Sequence, residues 1–123
     1  MSYEIKQDGK FKFIEEGEGE PLLLLHGLFG ALSNFQFLIE HFRKTNKVIV
    51  PLLPLLELDL LHTSVGGLQK FVHRFIEHRN YNNINLLGNS LGGHVALVHI
   101  LKNPERIKSL ILTGSSGLFE NGM

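Results

Sequence analysis

The 123-residue sequence contains no cysteine, which removes disulfides, thiolate chemistry and sulfur-based zinc sites and fits a reducing compartment. It also lacks net charge: twelve Lys and Arg balance twelve Asp and Glu, with the two signs interspersed. Nucleic-acid binding therefore has no electrostatic support. No apolar run approaches the roughly 20 residues needed to span a bilayer. The first ten residues, MSYEIKQDGK, lack the apolar region of a secretory signal. The expectation is a cytoplasmic protein whose partners include neither membrane nor nucleic acid.

What is present is ordinary for a globular chain, with 43% hydrophobic and 20% charged residues. The length suits one compact domain over residues 1–123, able to bury roughly two-thirds of its unfolded surface. YEIKQ and KFKFIEE read as two short strands joined at Asp8-Gly9, a dipeptide that favours a hairpin turn, with Phe11 and Phe13 alternating with Lys10 and Lys12. EEGEGEP is a polar loop. PLLLLHG, with four leucines and no alternation, reads as a strand buried on both faces, although pattern alone also admits a buried helix.

From Ser33 the spacing of Phe35, Leu38, Ile39 and Phe42 predicts a helix, capped by Ser33 or Asn34. NKVIVP is another buried strand, and PLLPLLELDLLHTS, with two prolines and irregular spacing, reads as an extended loop. Ser64 opens an amphipathic helix with Leu68, Phe71, Val72, Phe75 and Ile76 on one stripe, ending near His78-Arg79-Asn80. INLLGN, LGGHVALVHILKN and IKSLILTG follow as strand, helix and strand. This alternation predicts an α/β fold: a mostly parallel sheet covered by helices on both faces, preceded by the β-hairpin.

Gly88-Asn89-Ser90-Leu91-Gly92 fits G-x-S-x-G and falls between a predicted strand and a predicted helix. Such a turn exposes a serine hydroxyl above the carboxyl end of the sheet, and glycine two residues to either side relieves crowding between strand and helix. It also brings Ser90 to the helix amino terminus, where free N–H groups and the helix dipole favour developing negative charge. The plain alternative is a small-residue turn that only packs a helix on a strand. A phosphate-cradling loop is unsupported, because the lysine and glycine spacings of those motifs are missing.

Some sixty residues before the serine, LLLLHGLFG ends a buried strand in His26-Gly27. Together the two motifs resemble the α/β-hydrolase family over nearly the whole chain. The resemblance implies a Ser90 nucleophile, an oxyanion hole formed by the backbone N–H groups of Leu28 and Leu91, and a structural His26 that steadies the oxyanion loop. Gly27, Gly88 and Gly92 complete the supporting motif. His94, one turn into the helix, is expected to point into packing or toward the sheet. The histidines at 41, 62, 73, 78 and 99 read as surface or helix-packing residues, and no pair has metal-ligand spacing with a third ligand. One departure is local: many relatives carry Asp-x-x-Gly-x-Gly where this chain has PLLPLLELDLLHTS.

A serine hydroxyl needs a base, normally a histidine oriented by a carboxylate. In the family order both follow the strand that here reads IKSLILTG, and the sequence stops at Met123. The resemblance thus implies the amino-terminal half of a hydrolase, without the triad acid and histidine; Glu120 stays unassigned. The complete protein is expected to hydrolyse a carboxylic ester or related acyl bond of a small molecule, without metal or organic cofactor. Carbon–carbon bond hydrolysis of a diketone-like substrate is the second enzymatic reading. The third is an inactive fold fragment that self-associates through the exposed sheet edge.

Overall fold

The structure is a computed structural model that describes residues 3–26, 35–54 and 65–114. Strands β1 (Lys6–Asp8) and β2 (Phe11–Glu16) form the hairpin, followed by β3 (Glu20–Leu25), α1 (Gln36–Phe42), β4 (Asn46–Pro51), α2 (Val65–Arg79), β5 (Ile84–Asn89), α3 (Leu91–Lys102), a 3-10 turn (Pro104–Arg106) and β6 (Ile107–Thr113). The six strands form one sheet in the order β1-β2-β4-β3-β5-β6. Pairing is antiparallel from β1 to β4 and parallel from β4 to β6. The expected α/β architecture is therefore observed.

The four leucines of β3 explain their own lack of alternation. Leu23 and Leu25 enter an apolar cluster with Leu68, Val72, Phe75 and Ile76 of α2 and Val95 and Ala96 of α3. Leu22 and Leu24 enter a second cluster on the opposite face with Phe35 and Ile39 of the α1 region. A central strand covered on both sides needs apolar residues at every position, and successive side chains point to opposite faces. β2 alternates only at its start, with Phe11 and Phe13 buried and Lys12 exposed, before Ile14 is buried in the second cluster.

Two boundaries differ from the sequence reading. Residues 3–5 are not strand; Tyr3 packs against the second cluster and its hydroxyl donates to Glu40 of α1. The α1 cap position is Phe35, which forms no side-chain capping bond. Ser33, Asn34 and Ser64, named above at helix starts, lie outside the described residues, as do residues 55–64 of the expected loop.

Arg79, the last residue of α2, fastens the hairpin to the helix. Its guanidinium donates to Asp8 at 2.8 Å, Glu15 at 3.2 Å and the Tyr81 hydroxyl at 3.1 Å, and lies 4.7 Å from the Phe13 ring centroid. Tyr81 donates to Glu15 at 2.6 Å. Burial opposes the Glu15 charge, but the donors Tyr81 and Arg79 prevail and hold its carboxyl below the ordinary value. At the other end of the sheet, β6 has a neighbour on one side only among the described residues. Ile111 on that strand is 42% exposed, and Leu101 on α3 is 83% exposed.

Candidate active site

Ser90 occupies the turn between β5 and α3 with φ +58° and ψ −120°, a conformation sparsely populated by residues other than glycine. Its side chain makes no capping bond, and the residue is exposed. The turn is fixed from three sides. The Ser90 N–H donates to the Thr113 carbonyl at 3.1 Å, continuing the β5–β6 ladder, while the Ser90 carbonyl accepts from Gly93 at 2.9 Å and His94 at 3.3 Å. Leu91 and Gly92 supply first-turn N–H groups of α3, which lack intrahelical acceptors by construction.

The flanking glycines have a steric cause. A Cβ on Gly88 would stand 2.4 Å from the Gly92 carbonyl oxygen, and one on Gly92 would stand 2.1 Å from the Leu25 carbonyl oxygen. The helix start is thus seated directly on the end of β3, and the strand-to-helix turn beneath it has no room for side chains. That close seating brings the amino terminus of α3 beside His26.

His26 is buried, and its Nε2 accepts a hydrogen bond from the Leu53 N–H at 3.1 Å. This bond ties the end of β3 to the chain just past β4 and places the ring proton on Nδ1. Gly27 and Leu28, the remainder of the expected oxyanion loop, lie outside the described residues, as does Glu120. His94 is exposed, not directed into packing as expected, because the buried stripe of α3 runs through Gly92, Val95, Ala96 and His99. Among the described residues, Ser90 Oγ has no hydrogen bond to a histidine.

Pattern reading missed two arrangements. Asn89, the middle residue between Gly88 and Ser90, accepts a hydrogen bond on Oδ1 from the Thr113 hydroxyl at 3.1 Å, clamping the ends of β5 and β6 beside the serine. Between α2 and α3, Gln69 Nε2 contacts His99 Nδ1 at 2.9 Å and donates to Asn103 Oδ1 at 2.9 Å. The Gln69 amide donates there, so His99 carries its proton on Nε2. Burial, reinforced by the nearby His73 and opposed by Glu105, pulls the His99 pKa down to about 4. Helical spacing marks His99 as core-facing, but nothing local announces its partners 30 residues earlier. Among the described residues, no group of three or more His, Cys, Asp and Glu side chains is arranged to hold a metal ion. No described helix is long and apolar enough to cross a membrane.

A sequence model of the alpha/beta hydrolase fold matches residues 61–122, half of the chain and inclusive of the Ser90 turn. The chain belongs to the α/β-hydrolase family. An α/β-hydrolase enzyme from the metagenome of lagoon sediments at Mar Chica, Morocco, superposes with a TM-score of 0.86 at 49% identity, over 95% of this chain and 54% of that one. Lipase 1 of Psychrobacter immobilis is 30% identical over 121 residues, covering 93% of this chain and 38% of its own. The 2-hydroxymuconate semialdehyde hydrolase of Pseudomonas sp. strain CF600 is 27% identical over 118 residues, covering 85% and 39%. The chain thus spans about two-fifths of the length of these curated relatives and 54% of the lagoon hydrolase. Its relatives thus include one named a lipase and one named a semialdehyde hydrolase.

Proposed function

We propose that Ser90 is the nucleophile of a hydrolase that cleaves a carboxylic ester or related acyl bond through an acyl-enzyme. The observation that carries this reading is the backbone of Ser90 itself. A non-glycine residue held at φ +58° and ψ −120° costs about 1–3 kcal/mol, and strain of that kind concentrates at functional sites. Here it lifts a hydroxyl onto the amino terminus of α3.

In the proposed scheme Ser90 Oγ attacks the acyl carbon while its proton passes to a general base. The alcohol leaves with that proton, and water then attacks the acyl carbon, releasing the acid and restoring Ser90. The Leu91 N–H, joined by the Leu28 N–H that the family resemblance implies, donates to the tetrahedral oxyanion. His26 Nε2 is engaged by the Leu53 amide, and the base is taken, as the family order implies, to be a histidine that follows β6 in the complete hydrolase. No step calls on a metal or organic cofactor. Similarity to the lipase supports the ester reading. Similarity to the semialdehyde hydrolase supports carbon–carbon hydrolysis as the second reading, with the same serine attacking a ketone carbonyl.

The test is p-nitrophenyl acetate hydrolysis by this chain and by a chimera that adds the remaining part of the lagoon hydrolase, each with and without Ser90→Ala. The isolated chain is expected to stay near background in both forms. The chimera should turn over, and Ser90→Ala should lower its rate by on the order of 10⁴-fold or more. A chimera equally active without Ser90 refutes the assignment. The β6 edge, unpaired among the described residues, also supports self-association of the isolated chain, which light scattering at several concentrations reads directly.

A further inference from the structure

The alternation Lys10-Phe11-Lys12-Phe13 buries both phenylalanines and leaves both lysines exposed. The two lysines border a cavity of about 360 Å³ whose other described walls are Leu52, Leu53, Pro54 and Phe71. That volume lies at the lower end of the range of small-ligand sites. The side chains of these four wall residues are apolar, and Leu53 and Phe71 rest against the core. Phe71 packs edge-on against Phe11 with centroids 5.2 Å apart, Leu53 is buried, and the Leu52 N–H is fixed to the Lys12 carbonyl at 2.9 Å.

Among the described residues that line the groove, charge is of one sign. Lys10 Nζ lies 5.5 Å from the Phe11 ring centroid. Among the described residues neither lysine has an ion-pair partner. The nearby carboxylate in sequence, Asp8, is already bound by His78 at 2.9 Å and Arg79 at 2.8 Å. An apolar trough therefore ends in two ammonium groups on flexible stems that no described carboxylate pairs, a combination suited to a ligand with an alkyl body and an anionic tip.

The groove opens at the same edge of the sheet as Ser90. β2 runs antiparallel to β4, so the start of β2 and the end of β4 both lie at the carboxyl end of the parallel strands. Leu86, Leu23, Ile49 and Glu15 stand in one row across the sheet. Four residues along, the same row reaches Ser90, Leu53 and, on the antiparallel strand, Phe11. At about 4.8 Å per strand, the Leu53 wall stands about 10 Å from the serine's strand and the hairpin about 14 Å.

We infer that this groove binds a carboxylate-terminated alkyl chain, with the chain along Leu52, Leu53, Pro54 and Phe71 and the carboxylate between Lys10 and Lys12. An acid of this kind is also the product class of the acyl-enzyme scheme; that link rests on the Ser90 reading, whereas the binding does not.

The experiment titrates the ¹⁵N-labelled chain with octanoate below its micellar concentration, with octanol and acetate as parallel probes. Octanoate is expected to shift the amides of Leu52, Leu53 and Phe71 saturably. Octanol should bind at least fivefold more weakly, and acetate should not saturate. The Lys10→Gln/Lys12→Gln double variant, altered only at exposed side chains, should lose at least fivefold in octanoate affinity, and Lys10→Arg/Lys12→Arg should keep it. Ser90→Ala should bind as the parent does, which separates failure of this site from failure of the nucleophile assignment. Equal binding of octanol and octanoate, undiminished binding by the glutamine variant, or shifts confined to another face each overturn the proposal. Binding to anionic phospholipid vesicles without binding of monomeric octanoate overturns the small-molecule assignment.

Discussion

Gly92 and Gly93 are adjacent on α3, yet replacing each by alanine should have very different effects. A Cβ at Gly92 would lie 2.1 Å from the Leu25 carbonyl oxygen, 2.5 Å from the Leu25 carbonyl carbon and 2.9 Å from the His26 carbonyl oxygen. All three are backbone atoms at the end of the central strand, so relief requires α3 to withdraw from β3. Overpacking of this kind costs about 1–3 kcal/mol or more, and immobile neighbours put Gly92→Ala at the upper end. Alanine recovers about 0.5–1 kcal/mol through its better helix propensity, leaving a net loss of about 2–3 kcal/mol. At Gly93 the nearest atoms are the Gly88 carbonyl oxygen at 3.2 Å and the movable Leu112 Cδ2 at 3.5 Å. There the small steric cost and the propensity gain offset each other to within about 0.5 kcal/mol. Urea unfolding followed by far-UV circular dichroism at low protein concentration reads both. Gly92→Ala should lower the midpoint by roughly 1–2 M, given the usual slope for small proteins, and Gly93→Ala should barely move it. Equal losses for the two variants, or an unchanged Gly92→Ala, would refute the seating of α3 on β3.

The positive φ of Ser90 predicts that Ser90→Gly raises stability by about 1 kcal/mol while Ser90→Ala does not, measured by the same unfolding curves. His99 is held neutral with a pKa of about 4 against an ordinary 6.5, so the unfolded chain binds its proton first as pH falls. Stability should therefore decline between pH 6.5 and 4 by up to about 3 kcal/mol, and His99→Gln should flatten that part of the profile. Removing the Arg79 fork strands the partly buried Glu15 carboxylate and uncovers Phe13. Arg79→Ala should therefore cost about 2 kcal/mol, and Arg79→Lys should restore less than half of that because an ammonium cannot serve Asp8, Glu15 and Tyr81 together.

Local pattern disclosed the elements whose cause is local. INLLGN and NKVIVP appear as β5 and β4 with unchanged bounds, since short apolar runs flanked by polar or glycine residues have few other uses. The stripe on α2 was visible because burial on one side imposes helical spacing. The Ser90 turn was visible because its glycines answer steric demands at fixed offsets. Sheet order was not: β4 lies between β2 and β3, an outcome of pairing across distant segments that no short window encodes. The same holds for Arg79 reaching Asp8 71 residues away, for Thr113 clamping Asn89, and for Leu53 bonding to His26. His94 was misread because its distance from Ser90 in sequence says nothing of which side of α3 the sheet covers.

The placement of β3 in the middle of the sheet also has a consequence for synthesis. Both of its neighbours come later in the chain: β4 begins at Asn46 and β5 at Ile84, whereas β3 ends at Leu25. At roughly 5–20 residues per second, about 3–12 seconds separate the completion of β3 from the emergence of β5. Through that interval Leu22–Leu25 is a run of apolar strand with at least one open edge, the kind of segment that pairs with whatever strand is available. Because Gly92 rests on the Leu25 carbonyl, the Ser90 turn cannot take its final shape until that wait has ended. The serine's geometry is thus a late product of vectorial assembly, and conditions that let nascent chains pair with one another would remove it before it forms.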